Sequence, residues 1–219
     1  MSNPNNIFGS DSDSDSDSDS PSSVHPPAPQ ERMFEIIDST QLNGGKGLRS
    51  LHFIKAGTEI FRDIAVLRCP NAFAAESEEE AKRLLNECVT LRFSHLPPPL
   101  RTSLLTLSSH TENIPTIPGI FQTNALRLTG RDTGSGAIFQ TFARMNHSCF
   151  PNIEHTWDDT TQRLILKSIR DVNALEEMYI CYGGTPEDSG TEVRREHLEK
   201  NFGFRCMCEV CCADDDLKS

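Results

Sequence analysis

The sequence predicts a mainly β fold with short helices. Three observations carry that expectation. Short runs rich in β-branched and aromatic residues recur between glycine-punctuated turns. They do not alternate with helices as a parallel βαβ unit would. One amphipathic stretch interrupts them between residues 74 and 96. At 219 residues the chain suffices for one good-sized domain.

Taken in order, structure is expected from about residue 32. Met33–Ile37 reads as a strand, Asn43–Gly47 as a glycine-rich turn, and Leu48–Ile54 as a second strand. After the turn Lys55–Gly57, Thr58–Leu67 reads as a strand pair. Glu76, Glu78, Glu79 and Glu80 then lead into Ala81, Leu84, Leu85, Cys88 and Leu91. Acids at the start and apolar residues at helical spacing predict a helix. Pro97–Pro99 is expected to end it, and Leu100–Leu107 to form a second short helix, making residues 68–115 a helical insert. Ile117–Leu128 and Ala137–Phe142 read as strands. Asn152–Trp157 and Arg163–Ile169 flank the turn Asp158–Thr161 as a hairpin, and Met178–Tyr182 is a short strand. Residues 191–202 form a charged helix with Val193, Leu198 and Phe202 available for packing.

The two ends differ from this body. Residues 1–31 hold an alternating Ser/Asp tract over 11–20 and four later prolines, with little to bury, and are expected to be disordered. The serines beside aspartate suit acid-directed kinases. Residues 213–219 form a second acidic tail. Of the net charge of −11, the first 30 residues carry −5 and the last seven −2, leaving −4 on residues 31–212. Direct strong nucleic-acid binding and attraction to anionic lipid are not expected of so mild a charge. No stretch approaches the roughly 18–20 apolar residues of a membrane span, and the N-terminus lacks a signal-peptide pattern. The eight cysteines are therefore read as thiols or metal ligands rather than a disulfide framework.

Three peptides carry chemistry. Cys206, Cys208 and Cys211 have the spacing to wrap one ion, and a closed zinc site needs four ligands. The fourth is not dictated locally. Cys212 adjoins Cys211 and is hard to aim at the same tetrahedron, while Cys149 stands 57 residues before Cys206. An iron–sulfur cluster is the alternative occupant. The second peptide, Arg144–Asn152, packs side-chain donors and acceptors, a thiol and a proline into one turn. The third, Glu176–Gly183, contains both tyrosines of the chain, Tyr179 and Tyr182. A Cys–His hydrolase on Cys149 and His147 is a rival, but residues two apart rarely form a nucleophile–base pair.

The run Asn146-His-Ser-Cys-Phe-Pro-Asn152, followed by Glu176-Glu177 with Tyr182, and then Phe204-x-Cys206-x-Cys208-x-x-Cys211, resembles the SET-domain protein lysine methyltransferases with a post-SET zinc site. Gly45-Lys46-Gly47-Leu48 and Ile54-x-x-Gly57-x-x-Ile60 fall at matching places, so the resemblance covers roughly residues 33–212. It is nearest to the kind that also carries a MYND finger, though the insert has no Cys/His array for that finger. The resemblance implies a SET-domain β-clip fold with knot-like C-terminal threading, in which 173–184 tucks beside Asn146–Asn152. It divides the chain into a SET domain over 32–184 and a post-SET helix and zinc segment over 185–212.

The same resemblance implies a methyltransferase that uses S-adenosylmethionine to methylate a protein lysine, histone or other, as a monomer in nucleus or cytoplasm. The rival is a catalytically silent SET module that binds a peptide or chromatin partner. Gly44, Gly45 and Lys46 would approach the cofactor by their backbone, Asn146 and His147 would hold it by amide and backbone groups, Asn124 would contact it, and Phe204 would stack on its adenine. Tyr182 would be catalytic and also touch the cofactor, with Tyr179 a packing residue. Cys149 would join Cys206, Cys208 and Cys211 around one structural zinc. Cys69, Cys88 and Cys181 would be small buried hydrophobes, and Cys212 has no role.

Overall fold

The chain divides into two units, Met1–Glu31 and Arg32–Ser219. The computed structural model describes residues 32–39, 45–71, 73–110, 115–183 and 189–216. The Ser/Asp tract expected to be disordered lies outside the described residues.

Four strands come first: β1 (Phe34–Asp38), β2 (Lys46–Ser50), β3 (Glu59–Asp63) and β4 (Ala65–Pro70). β1 and β2 pair antiparallel, from Phe34 opposite Ser50 to Asp38 opposite Lys46. The second strand stops at Ser50 instead of running to Ile54. The chain bends there, and Ile54 is buried with a single bridge to Val172. Helix α1 (Glu78–Ser94) starts on Ser77, whose side chain accepts the Glu80 N–H, and carries three glutamates in its first turn. The prolines expected to end it instead open α2 (Pro98–Leu104), where their missing N–H groups leave no helical bond unmade.

Residues 117–128, expected as a strand, form helix α3 (Ile117–Asn124) and then only the two-residue β5 (Leu126–Arg127). The helix is seeded by the Thr116 side chain, which accepts from Gly119 N, and by Pro118 in its first turn. Its apolar residues Ile120 and Phe121 pack in one core with Val89, Leu104 and Ile138. Burial there outweighs the strand propensity of Ile117, Ile120, Phe121 and Thr123. β6 (Ser135–Phe139) pairs with β4 and β5. The chain then makes a short 3-10 turn, Phe142–Arg144, anchored by Asp63, whose carboxylate accepts the Thr141 and Phe142 N–H groups at 2.9 Å each.

β7 (Asn146–His147), the hairpin of β8 (Ile153–Asp158) with β9 (Arg163–Ser168), and β10 (Glu177–Ile180) follow. Helix α4 (Thr191–Phe202) ends at Gly203, whose φ of +74° is the left-handed conformation such a stop requires. Helix α5 (Glu209–Asp216), not anticipated, holds Cys211 and Cys212 and runs through Asp216, into the stretch read as an acidic tail.

Among the described residues three small sheets result, ordered β1-β2-β10-β7, β3-β9-β8 and β4-β6-β5. β10 is antiparallel to β2 and parallel to β7, with Tyr179 opposite Asn146 and Ile180 opposite His147. The segment ending at Ile180 thus lies beside the Asn146 peptide, as expected. The main core includes Leu48, Phe139, Leu164, Leu166 and Met178, all fully buried. A third, small cluster joins Leu198 to the C-terminal cysteines and touches Tyr182. Among the described residues no helix is long and apolar enough to cross a membrane.

Candidate active site

A cavity of about 500 Å³ opens where β2, β7 and β10 meet the ends of α3 and α4. Small-molecule sites span about 300–1,000 Å³, so it has room for one. Of the expected cofactor residues, Gly45, Lys46, Asn124, Asn146, Tyr182 and Phe204 line it. His147 stands behind this wall, and Gly44 lies outside the described residues.

Asn146 is fixed by Glu177, a residue of the quoted motif to which the sequence assigned no role. Its Nδ2 donates to Glu177 Oε1 at 2.8 Å, and Ser39 Oγ donates to the other Glu177 oxygen at 3.2 Å. A carboxylate only accepts, so the amide nitrogen faces Glu177 and Asn146 keeps its carbonyl oxygen for a ligand. Gly47 makes this arrangement possible. A Cβ there would overlap the Glu177 carboxylate and stand 3.1 Å from Asn146 Nδ2. Asn124 is spent in the same sense, because its Nδ2 donates to the Ser108 and Ile120 carbonyls at 2.7 and 2.8 Å. Asn152 is wholly structural. It is fully buried, donates to Glu176 Oε1 and the Glu177 carbonyl, and accepts the Tyr179 N–H at 2.7 Å, clamping β10.

Tyr182 is aimed by its neighbours. Its hydroxyl donates to the Met145 carbonyl at 2.9 Å, and its N–H donates to His147 Nδ1 at 3.1 Å. His147 therefore carries its proton on Nε2, which faces Cys149 Sγ at 3.3 Å. Burial pushes the Tyr182 phenol well above its ordinary value, so it stays neutral near pH 7 and is no base. Phe202 and Phe204 enclose the ring at centroid distances of 4.7 and 6.2 Å, the latter edge-on. Phe202 was read only as a packing residue, yet it shares the cavity wall.

Cys149, Cys206, Cys208 and Cys211 converge, with all four sulfurs within 4.8 Å of one another. Cys149 Sγ lies 3.9 Å from Cys206 Sγ and 3.6 Å from Cys211 Sγ. A tetrahedron with zinc–sulfur bonds of about 2.3 Å requires sulfurs about 3.8 Å apart. Cys149 stands close to that spacing from Cys206 and from Cys211, and the four-thiol donor set suits zinc. Cys212 turns away, its thiol donating to the Met207 carbonyl at 3.3 Å. Two arginines of α4 secure the cluster. Arg195, almost fully buried, donates from Nε to the Cys206 carbonyl at 3.1 Å and from Nη2 to the Cys211 carbonyl at 3.2 Å. Arg194 Nη2 reaches Cys211 Sγ at 3.6 Å. Of the thiols read as buried hydrophobes, Cys69 is buried, Cys88 partly so, and Cys181 is exposed. Its strand ends at Ile180, so nothing covers the next side chain.

Two further lining residues had no assigned role in the sequence, although Arg144 opens the second of the three peptides. Arg144 Nη2 donates to Ser103 Oγ and Thr106 Oγ1 at 3.2 and 3.1 Å. His155 sits on the inward face of β8, between buried Ile153 and Trp157, with its ring against Phe142 at 4.8 Å. A histidine at an apolar position of an alternating strand was the available signal.

A family described as "SET domain" matches residues 45–183. The Histone-lysine N-methyltransferase set5 of Schizosaccharomyces pombe is 30% identical over 173 residues, covering 79% of this chain and 49% of that protein. The Protein-lysine N-trimethyltransferase SMYD5 of Gallus gallus is 33% identical over 84 residues, 38% of this chain and 20% of that one. The Histone-lysine N-methyltransferase SMYD3 of Homo sapiens is 32% identical over 85 residues, 39% of this chain and 19% of that one. The chain thus spans about half the length of the first of these relatives and a fifth of the other two.

Proposed function

The chain belongs to the SET-domain family, and from that premise we propose that it methylates lysine side chains of a protein, with S-adenosylmethionine as methyl donor. The names borne by its relatives favour a histone, and hence action in the nucleus. The observation that carries the reading is the half-buried, neutral Tyr182 hydroxyl held on the Met145 carbonyl in a cavity walled by Asn146 and Phe204.

When bound, S-adenosylmethionine supplies a methyl group activated by its sulfonium. The chain's residues bind, orient and shield. Asn146, turned by its bond to Glu177, and Asn124, with both N–H groups engaged, offer carbonyl oxygens that suit an ammonium or amine donor. The Gly45–Lys46 backbone approaches from β2, and Phe204 with Phe202 gives an aromatic wall against which an adenine stacks. Tyr182 presents a fixed oxygen that orients the amine and accepts weak C–H contacts from a polarised methyl. Cys149, Cys206, Cys208 and Cys211 would hold one structural zinc, which ties α5 and Phe204 to the Asn146 peptide.

The test is Tyr182→Phe, assayed for methyl transfer from labelled S-adenosylmethionine to recombinant core histones and to a proteome extract. Transfer should fall on the order of 10²–10⁴-fold, while cofactor affinity by calorimetry stays near that of the unmodified protein. An unmodified protein that binds cofactor or peptide yet transfers nothing would sink the enzyme reading in favour of a silent binding module.

A further inference from the structure

Lysine enters such a site as an ammonium, with an ordinary pKa of about 10.4, and must lose a proton before its nitrogen is nucleophilic. The described residues that line the cavity include no carboxylate. Lys46 and Arg144 are cations, and Tyr182 is a neutral phenol engaged with Met145. His147 is not in the wall, and its Nδ1 already accepts the Tyr182 N–H.

His155 differs from all of these. It lines the cavity from β8, and its ring is held edge-on by Phe142, with centroids 4.8 Å apart and planes at 61°. Across the ladder stands Leu166. Neither ring nitrogen is hydrogen-bonded among the described residues, and neither is among the buried atoms left without a partner, so both stay open to solvent in the cavity. An imidazole packed between buried Ile153 and Trp157 contributes little there that an isoleucine would not, unless its nitrogens meet something that enters the cavity.

We propose that His155 is the proton acceptor for the substrate amine. This rests on the methyltransferase reading. One N–H bond of the entering ammonium breaks, its electron pair stays on the amine nitrogen, and the proton forms a new N–H bond on the imidazole. The imidazolium then passes that proton to water at the cavity mouth. Burial lowers the His155 pKa below its ordinary value, with Glu154 on the same strand opposing weakly, so the ring is neutral and ready to accept at pH 7. The other charged groups on the elements that pack against it are Lys167, next to Leu166 on β9, Asp63, which holds the Phe142 N–H, and the cavity-lining Lys46 and Arg144. Cys181 and Tyr182 are the cavity's remaining titratable groups.

The experiment compares pH–rate profiles of the full chain with those of His155→Gln and His155→Ile, using S-adenosylmethionine and recombinant core histones. Melting temperature and cofactor affinity are measured alongside. The unmodified protein should give a profile nearly flat from about pH 7 to 9. Both variants should bind cofactor normally, lose about 10–100-fold at pH 7, and recover about tenfold per pH unit as solution supplies the free amine. Parallel profiles, or variants as fast as the unmodified protein at pH 7, would overturn the role of His155 and leave the methyltransferase reading intact. No transfer by the unmodified protein at any pH would overturn both. If His155→Gln melts early, His155→Ile, which suits the apolar face of β8, carries the comparison alone.

Discussion

Replacing Arg195 with alanine should unfasten the C-terminal lobe. The guanidinium makes two charge-assisted hydrogen bonds, to the carbonyls of Cys206 and Cys211, from a position 1% exposed. Bonds to a charged group are worth about 1.5–3 kcal/mol each. Its ion pair with Glu192, whose side chain is 55% exposed, adds under about 1 kcal/mol. The loss for Arg195→Ala is therefore about 3–6 kcal/mol, a large part of the roughly 5–15 kcal/mol that holds a domain folded. Urea titration of the zinc-loaded protein should show the midpoint falling by about 2 M, given slopes of about 1–3 kcal/mol per molar. Glu192→Gln, which removes the exposed partner alone, should move it little. Zinc should leave Arg195→Ala faster under chelator challenge, because the turn that presents Cys206 and Cys211 has lost its clamp. A midpoint for Arg195→Ala within error of that for Glu192→Gln would refute the clamp.

Cys149→Ser should weaken zinc retention by metal analysis while Cys212→Ser leaves it unchanged, and the reverse pattern would reassign the fourth ligand. Gly47→Ala should cost about 1–3 kcal/mol of overpacking in a denaturant titration and weaken S-adenosylmethionine binding by calorimetry. Its methyl displaces Glu177 and with it the orientation of Asn146. Unchanged affinity would show that the amide's orientation does not matter. Thr116→Ala should lose about 1 kcal/mol, since its side chain caps α3 through Gly119 N. Equal stability of the two proteins would discount the cap.

What the sequence made legible was whatever carries its chemistry in residue type. The four converging cysteines, Asn146 and Tyr182 are rare groups in recognisable peptides, and the hairpin and α4 follow from periodicity and turn residues. Residues 117–128 were misjudged because Ile and Thr favour strands in isolation, whereas the outcome was set by contact with α1 and β6. The cap at Thr116 and Pro118 was there to be weighed against it. The roles of Glu177, Arg195 and His155 stayed hidden for another reason. Glutamate, arginine and histidine are common on surfaces, and only the pairing of distant strands and the turn after α4 reveals what each one faces.

The ladder between β2 and β10 joins Leu48 to Met178, 130 residues further along, and β7 docks on that same late strand. Such pairings close long loops before they return any stabilisation, and chains rich in them fold slowly. During synthesis β2, already paired with β1 on one side, must wait for its second partner until residue 180 has left the ribosome. A nascent or truncated chain ending before β10 would expose β2 as a bare edge open to misassembly. Expression temperature and chaperone supply should therefore govern soluble yield more strongly than any single core substitution.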